Sequence, residues 1–307
     1  MQGSEILIAQ AQHKNELVHQ LHEQAYETEL KQLDNNQVTK AIEYLLENPH
    51  FGFFFIYTEN QHIFGQILMT KEYNIYSGLT CWFQSVYVKK DHRQRGIYKQ
   101  MYKEFMKYAA KEKAAGTKLY VEFENKNAIK VYEKLGMIRT EETIFEDDFV
   151  FHPVKIINLG QDCVTRTSSN KKELEDLLKK GKSIIGNDLT QQLQIEYCLN
   201  NNKNAFIITE SQTDYLIGLY FIEFSDWRNG IIIWFYDFIS STYNNGIISI
   251  MMSNMLNQIK HKKIKLNPEV KGIRILVDRS KGQRLEQLLE VIGLKESHYY
   301  IYYQKSD

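Results

Sequence analysis

The strongest constraint on the fold is an internal repeat with a spacing of about 150 residues. Short matching segments occur in the same order in both halves, for example residues 41–48 with 194–201. The matched positions are 150 to 157 residues apart: Lys14 with Lys171, Ile42 with Ile195, Phe55 with Phe206, Trp82 with Trp234, Gly96 with Gly246, and Gly136 with Gly293. A period this long indicates a duplicated domain rather than a solenoid. We therefore predict two domains of one fold, at residues 1–152 and 153–307.

The hydrophobic pattern of the first copy predicts both helices and strands. The predicted helices cover residues 14–30, 37–48, 97–115 and 128–135. The predicted strands cover residues 51–58, 62–70, 79–89, 118–124 and 143–151. Consecutive strands followed by strand–helix units predict an α/β fold with a mixed sheet, in which antiparallel hairpins join parallel crossovers.

The composition excludes several classes of protein. Lys+Arg and Asp+Glu number 38 each, so the zero net charge disfavours a nucleic-acid-binding protein. No apolar run approaches the roughly 20 residues of a membrane span, and residues 1–10 lack the Lys or Arg of a signal or transit peptide. Three widely separated cysteines argue against a disulfide framework, so we expect a cytoplasmic protein. The histidines near the first helix lack ligand partners at fixed spacing, so no metal site is predicted.

The loop after the third predicted strand is strongly basic. Five Lys or Arg side chains and His92 fall within residues 89–99, with one Asp among them. Gly96 allows close backbone approach, and the helix that follows offers unpaired N–H groups. Together these features predict a pyrophosphate site, although a solvated basic loop is the simpler alternative.

Two motifs in this region resemble a known family. The first reads Arg93-Gln94-Arg95-Gly96-Ile97-Tyr98 and follows a strand of alternating valines. The second combines Asn125, Ala128, Tyr132 and Gly136 at fixed spacing. Both resemble the acetyl-CoA motifs of the GNAT superfamily of acyl-CoA-dependent N-acetyltransferases. Tyr98 departs from the pattern, because the family usually has a small residue there.

The resemblance implies a central mixed, splayed sheet flanked by helices in each copy, and an acetyl-CoA site in the first. The strand 86–88 would pair with the pantetheine arm like an added strand, and residues 94–98 would hold the pyrophosphate. The implied cofactor-binding residues are Val86, Tyr87, Val88, Arg93, Gln94, Arg95, Gly96, Ile97, Tyr98 and Asn125. Tyr132 would protonate the departing CoA thiolate, unless it is only a packing residue of its helix.

An amine acceptor must lose a proton during transfer, so a general base is expected. Glu122 and Glu124 are the candidates, because a strand with a period of two would place them on one face. Taken alone, either glutamate also fits an exposed carboxylate on a strand. His92, in the basic loop, is a further candidate for the general base.

The second copy retains the sequence pattern of the fold but lacks the residues that would bind the pyrophosphate and protonate the thiolate. Gly246 is preserved without the basic residues around it, and Leu289 stands at the position of Tyr132. We therefore predict an N-acetyltransferase with one working site and a second half that is structural or shapes the substrate cleft. The alternative is a non-catalytic scaffold or assembly subunit of the same fold, with or without bound CoA. The identity of the amine acceptor and the presence of a homodimer stay open.

Overall fold

The chain folds into strands and helices that occur in the same order in both halves, apart from one extra two-residue strand at Lys182–Ser183 in the second half. The computed structural model describes residues 3–159, 163–190, 193–201, 206–264 and 266–306. The strands are β1 (Glu5–Ile8), β2 (Gly52–Glu59), β3 (His62–Asn74), β4 (Gly78–Val88), β5 (Gly116–Glu122), β6 (Ile138–Arg139), β7 (Glu142–Asp148), β8 (Val164–Ser168), β9 (Lys182–Ser183), β10 (Phe206–Glu210), β11 (Tyr215–Ser225), β12 (Gly230–Ser240), β13 (Val270–Asp278), β14 (Lys295–Glu296) and β15 (Tyr299–Lys305). The helices are α1 (Lys14–Glu29), α2 (Asn35–Glu47), α3 (Ile97–Lys111), α4 (Lys126–Lys134), α5 (Lys171–Lys180), α6 (Ile195–Asn201), α7 (Asn245–Lys260) and α8 (Arg284–Val291).

The strands form two mixed sheets of related topology. The first sheet has the order β1-β2-β3-β4-β5-β15-β6, and the second has the order β14-β7-β13-β12-β11-β10-β8, with β9 pairing β12. One parallel pair occurs in each sheet among the described residues, β4 with β5 and β12 with β13. Helices flank both sheets, so the predicted mixed α/β fold with two related halves is confirmed.

The two halves exchange one strand. The sequence pattern places a strand at the end of the first copy, and β7 is that strand, but it pairs with β13 of the second sheet. In return, β15 from the end of the chain pairs with β5 of the first sheet. Each sheet is therefore completed by the other half of the chain.

Charge pairing explains the position of β7. Its consecutive acidic residues, Glu146, Asp147 and Asp148, each meet a cation from the second half of the chain. Arg274 Nε lies 3.0 Å from Glu146 Oε2, and Lys260 Nζ lies 2.6 Å from Asp147 Oδ2. Arg228 donates to Asp148. Asp147 and Asp148 are buried. Because a buried carboxylate is costly without a partner, these pairs favour β7 in the second sheet.

The two sheets also pack against each other through equivalent residues of the repeat. The rings of Trp82 on β4 and Trp234 on β12 have centroids 5.3 Å apart, and both side chains are buried. Tyr76 Oη donates a hydrogen bond of 2.6 Å to Asp237 Oδ2 across the same interface. The halves therefore share a continuous core.

Several local boundaries differ from the sequence expectations. Helix α3 ends before residue 115, because Lys113 adopts a left-handed conformation with φ of 57° and Gly116 already begins β5. Strand β5 ends at Glu122, so Glu124 falls in the following turn. The short strands β1 and β6 were not predicted, since two to four residues carry too little periodicity.

Candidate active site

Strands β4 and β5 diverge and open a cleft in the first sheet. Their parallel pairing covers residues 80–83 and 116–119 and stops there. Beyond this point β4 stays paired with β3, and β5 stays paired with β15. The predicted divergence is therefore confirmed, and within the described residues the edge of β4 opposite β3 has no strand partner along residues 84–88.

The three candidate residues of β4 do not face the same way. Val86 lines the cleft, together with Val121 of β5. Tyr87 is buried, with the guanidinium of Arg93 5.4 Å from its ring centroid. Val88 is half-buried, as expected from the alternation of a strand.

The loop after β4 presents an uncapped helix start. Gly96 has φ of 75°, and helix α3 begins at Ile97 without a side-chain cap. A methyl group on Gly96 would meet no atom within 4 Å, so the space over this helix end is open. Gln94 is exposed and also has a positive φ, of 63°. Free N–H groups at such a helix end suit an anion.

Both arginines of the loop are already paired with carboxylates. Arg93 Nη2 lies 2.7 Å from Glu27 Oε2, and its Nε donates to the carbonyl oxygen of Val88. Arg95 Nη2 lies 2.7 Å and 2.8 Å from the two carboxylate oxygens of Glu59. Their charge is thus partly compensated in this conformation, which the sequence pattern did not indicate.

The second motif places Asn125 and Tyr132 at the cleft. Asn125 Oδ1 accepts a hydrogen bond of 3.2 Å from the backbone N–H of Ala128 and so caps α4. Tyr132 lines the cleft from the same helix with a side chain only 9% exposed. Burial raises the pKa of Tyr132 to about 12, so its hydroxyl is protonated at neutral pH.

The side chain of Tyr98 packs beside Tyr132. The two rings meet edge to face with centroids 6.0 Å apart. The Tyr98 hydroxyl is buried without a hydrogen-bond partner in the part of the chain that the structure describes. Burial raises the pKa of Tyr98 well above its ordinary value. The residue that departs from the family pattern is thus next to the candidate acid.

The two candidate bases are separated by the structure. Glu122 is the last residue of β5, is half-buried and lines the cleft. Burial and the charge of Glu29 raise its pKa. Glu124 is exposed in the turn and is not among the cleft residues. His92 stacks on Phe64 with ring centroids 3.9 Å apart, away from these groups.

The second half of the chain supplies one wall of the cleft. The turn between β11 and β12 contributes Asp226, Trp227 and Arg228, and Arg274 and Tyr299 complete the wall. Ser85 Oγ of β4 donates a hydrogen bond of 2.7 Å to Asp226 Oδ2. Burial raises the pKa of Asp226 to about 6. Sequence reasoning missed the three turn residues, since a polar stretch between two strands looks like an ordinary exposed turn.

The corresponding region of the second copy is closed by its own side chains. Asn244 Oδ1 accepts hydrogen bonds from the N–H groups of Gly246 and Ile247, at 2.9 Å and 3.3 Å. A cation is present, contrary to the sequence expectation, but Arg284 donates to the Tyr243 carbonyl and the Asn245 side chain. Leu289, at the position of Tyr132, is fully buried.

The described residues contain neither a metal-binding cluster nor a membrane-spanning helix. No three His, Cys, Asp or Glu side chains there are grouped so as to hold a metal ion. Of the helices that the structure describes, none is long and apolar enough to cross a membrane.

Comparison with known proteins identifies the family. The family model described as "Acetyltransferase (GNAT) family" matches residues 15–137. A possible acetyltransferase from Clostridium difficile 630 is 34% identical, over 44% of this chain and 90% of that one, with a TM-score of 0.42. The chain therefore belongs to the GNAT acetyltransferase family, through its N-terminal half.

Other solved structures resemble the tandem arrangement as a whole. A structure from Pyrococcus horikoshii is 11% identical, covers 100% of this chain and 91% of its own, and has a TM-score of 0.54. A glucosamine N-acetyltransferase region of a fungal multi-domain β-N-acetylglucosaminidase is 9% identical, with a TM-score of 0.59 over 99% of this chain and 38% of that one. At these identities the likeness concerns the fold alone, with two mixed sheets flanked by helices. No curated protein sequence matches the chain.

Proposed function

We propose that this protein transfers an acetyl group from acetyl-CoA to an amine acceptor in the cleft between β4 and β5. The observation that carries the proposal is the coincidence of three features: the divergent strands, the uncapped start of α3 and Tyr132 at the cleft. The divergent strands would leave backbone groups for the thioester arm, and the helix start would offer N–H groups to the pyrophosphate. Tyr132 would offer a proton to the leaving thiolate. Residues 1–152 form the acetyl-CoA-binding domain in this proposal, and residues 153–307 form the domain that shapes the substrate cleft.

The open cleft and helix end fit acetyl-CoA as a substrate. The free backbone of residues 86–88 would pair with the pantetheine amides. The N–H groups of residues 94–98 would bind the pyrophosphate, with Arg93 and Arg95 exchanging their carboxylate partners for phosphate oxygens. An N–H near Val86 would polarise the thioester carbonyl.

The residues around the cleft can accept the proton that the amine loses and supply the proton that the thiolate gains. The amine nitrogen attacks the thioester carbonyl carbon, a C–N bond forms, and the C–S bond breaks. Glu122 accepts the proton that the amine loses, and burial, which raises its pKa, makes it a stronger base than an ordinary carboxylate. Tyr132 gives its phenolic proton to the departing thiolate, and exchange with solvent restores both groups. Because Glu124 is exposed outside the cleft, Glu122 is the preferred base.

The test combines binding and turnover. Acetyl-CoA should raise the melting temperature of the full chain, by an amount equivalent to about 2.7 kcal/mol at a concentration of 100 Kd. CoA release should then depend on an added amine. Tyr132→Phe should keep acetyl-CoA affinity and lower turnover by roughly 10² to 10⁴. Tyr26→Phe, an exposed position on α1 outside the cleft, is the matched control.

The outcomes separate the proposal from its alternative. An unchanged melting temperature at millimolar acetyl-CoA would rule out the donor. Acetyl-CoA binding without amine-dependent CoA release would favour a non-catalytic scaffold. The position of the bulky Tyr98 beside Tyr132 is a reason to test this alternative. Parental turnover by Tyr132→Phe would make this residue a packing residue. A cytoplasmic location is also proposed, supported by the odd number and wide sequence separation of Cys81, Cys163 and Cys198, which do not suit a disulfide framework.

A further inference from the structure

The cleft carries an excess of negative charge from three different elements. Glu29 lies at the end of α1, Glu122 at the end of β5, and Asp226 in the turn between β11 and β12. All three line the cleft. Three carboxylates on a single helix or loop would form only an acidic patch on the surface. These three instead surround one cleft, whose walls come from both halves of the chain.

The cations that line the cleft are held by other carboxylates. Arg228 is buried and donates to Asp148, with 3.1 Å between its Nε and Asp148 Oδ2. Arg274 is buried beside Glu146, at 3.0 Å, and its Nη1 lies 3.9 Å from Glu223 Oε1. The direct ion pairs of these arginines are therefore made with carboxylates behind the cleft wall, while the charge of Arg228 acts on Asp226 only from a distance.

The three cleft carboxylates differ in how far they are compensated. Glu29 has the closest cation, with Lys31 Nζ 2.5 Å from its Oε2, and also accepts a hydrogen bond from Tyr299. Asp226 has the neutral donor Ser85. Glu122 has no ion pair in the described part of the chain, and the charge of Glu29 acts on it unfavourably. A ligand carboxylate would be repelled here, and a cation would be attracted.

A buried amide oxygen provides an independent indication of the ligand. Gln24 lines the cleft with a side chain only 9% exposed, and its Oε1 has no hydrogen-bond partner within the described residues. Gln84 also lines the cleft, and its Oε1 is unpartnered in the same way. Buried acceptors without donors are costly, so a donor-rich ligand group would stabilise them. An ammonium group offers three N–H donors and a positive charge.

We propose that the acceptor is an alkyl diamine or oligoamine, which presents one amine for acetylation and a second, protonated amine to the cleft carboxylates. This inference rests on the proposed function, because it assigns the acceptor of that same site. The reacting amine would lie near Glu122 and Tyr132, and the second ammonium would be held by Asp226 and Glu29 with the Gln24 oxygen.

A matched series of acceptors tests the charge of the second group. Putrescine, n-butylamine and γ-aminobutyrate share a four-carbon chain and a primary amine, and carry an ammonium, a methyl or a carboxylate at the other end. With acetyl-CoA saturating, we expect kcat/KM to fall in that order, by about tenfold or more at each step. The preference for putrescine should shrink with added salt, because the attraction is electrostatic.

Variants assign the preference to the named carboxylates. Asp226→Asn and Glu29→Gln should each reduce the putrescine to n-butylamine ratio of kcat/KM by about tenfold. Glu29 is half-buried, so its variant keeps the test decisive if the buried Asp226 variant folds poorly. Asp176→Asn, at a half-exposed carboxylate of α5 outside the cleft, makes the same charge change as a control.

Calorimetry of putrescine binding to the protein saturated with CoA gives a readout that does not require turnover. Tighter binding of putrescine than of n-butylamine is expected. Equal affinities, equal kcat/KM values or a preference for γ-aminobutyrate would overturn the acceptor class, even in a protein that acetylates another amine. Failure of acetyl-CoA itself to bind would instead overturn the proposed function.

Discussion

The strand exchange can be tested at the contact between Gly116 and Tyr303. Gly116 is the first residue of β5, and Tyr303 lies within β15, in the other half of the chain. A methyl group on Gly116 would lie 2.2 Å from Cε2 of the Tyr303 ring, closer than any real contact. The ring is also fixed, since Tyr303 Oη donates a hydrogen bond of 3.0 Å to the Ala115 carbonyl. We therefore expect Gly116→Ala to destabilise the protein only because Tyr303 occupies this site.

The expected magnitude follows from overpacking. Inserting a methyl group into such a site typically costs about 1–3 kcal/mol of unfolding free energy. Tyr303→Ala removes the ring and leaves space for the methyl group, so the double variant should lose most of that penalty. Urea unfolding followed by tryptophan fluorescence gives the four free energies of the cycle, and a coupling of about 1–3 kcal/mol is expected.

The cycle distinguishes the exchanged arrangement from one in which each half keeps its own last strand. In the latter, Gly116 and Tyr303 would not meet, and the two effects would add within about 0.5 kcal/mol. Additive effects would therefore refute the exchange. Gly3→Ala is the control, because a methyl group there meets no atom within 4 Å.

Two more predictions concern stability. Arg228 holds the pKa of Asp148 at about 2, below its ordinary 3.8, so the stability that this pair contributes is present above pH 4 and lost as the pH falls towards 2. Urea unfolding at several pH values should show a loss of about 2 kcal/mol over this window, which Asp148→Asn should lack. Asn244→Ala should cost about 1 kcal/mol at neutral pH, because it removes the cap of α7, and no change in the unfolding midpoint would contradict that role.

The positions of most helices and strands along the chain could be predicted from the sequence, but the pairing of the strands could not. The sequence predicted a strand at residues 143–151, and β7 lies at Glu142–Asp148. Its partner depended on where the cations of the second half lie in space, and Arg228 and Lys260 are 80 and 113 residues from the carboxylates that they meet. Local patterns carry no information about such distant pairs, so the exchange could not be predicted.

The candidate site was likewise predictable where it depends on local sequence and not where it depends on distant contacts. The motif residues Gly96, Asn125 and Tyr132 were found because their spacing is fixed by one helix or one turn. Asp226 and Arg274 were missed, because they reach the cleft only through the packing of one half against the other. The pairing of Arg93 with Glu27 was equally hidden, since 66 residues separate the two. Sequence therefore located the donor side of the cleft and left the acceptor side undetermined.

The contrast between the two helix starts predicts one CoA for each chain. The start of α3 is open over Gly96, whereas Asn244 already occupies the N–H groups at the start of α7. A pyrophosphate at α7 would first have to displace that side chain, which costs about 1 kcal/mol, and Leu289 offers no proton to a thiolate. Titration calorimetry with CoA should give a stoichiometry of one. Gly96→Glu, which puts a carboxylate over the α3 start, should abolish binding, while the matched Gly246→Glu should leave it unchanged. Two equivalents of CoA, or binding lost only in Gly246→Glu, would move the working site to the second half.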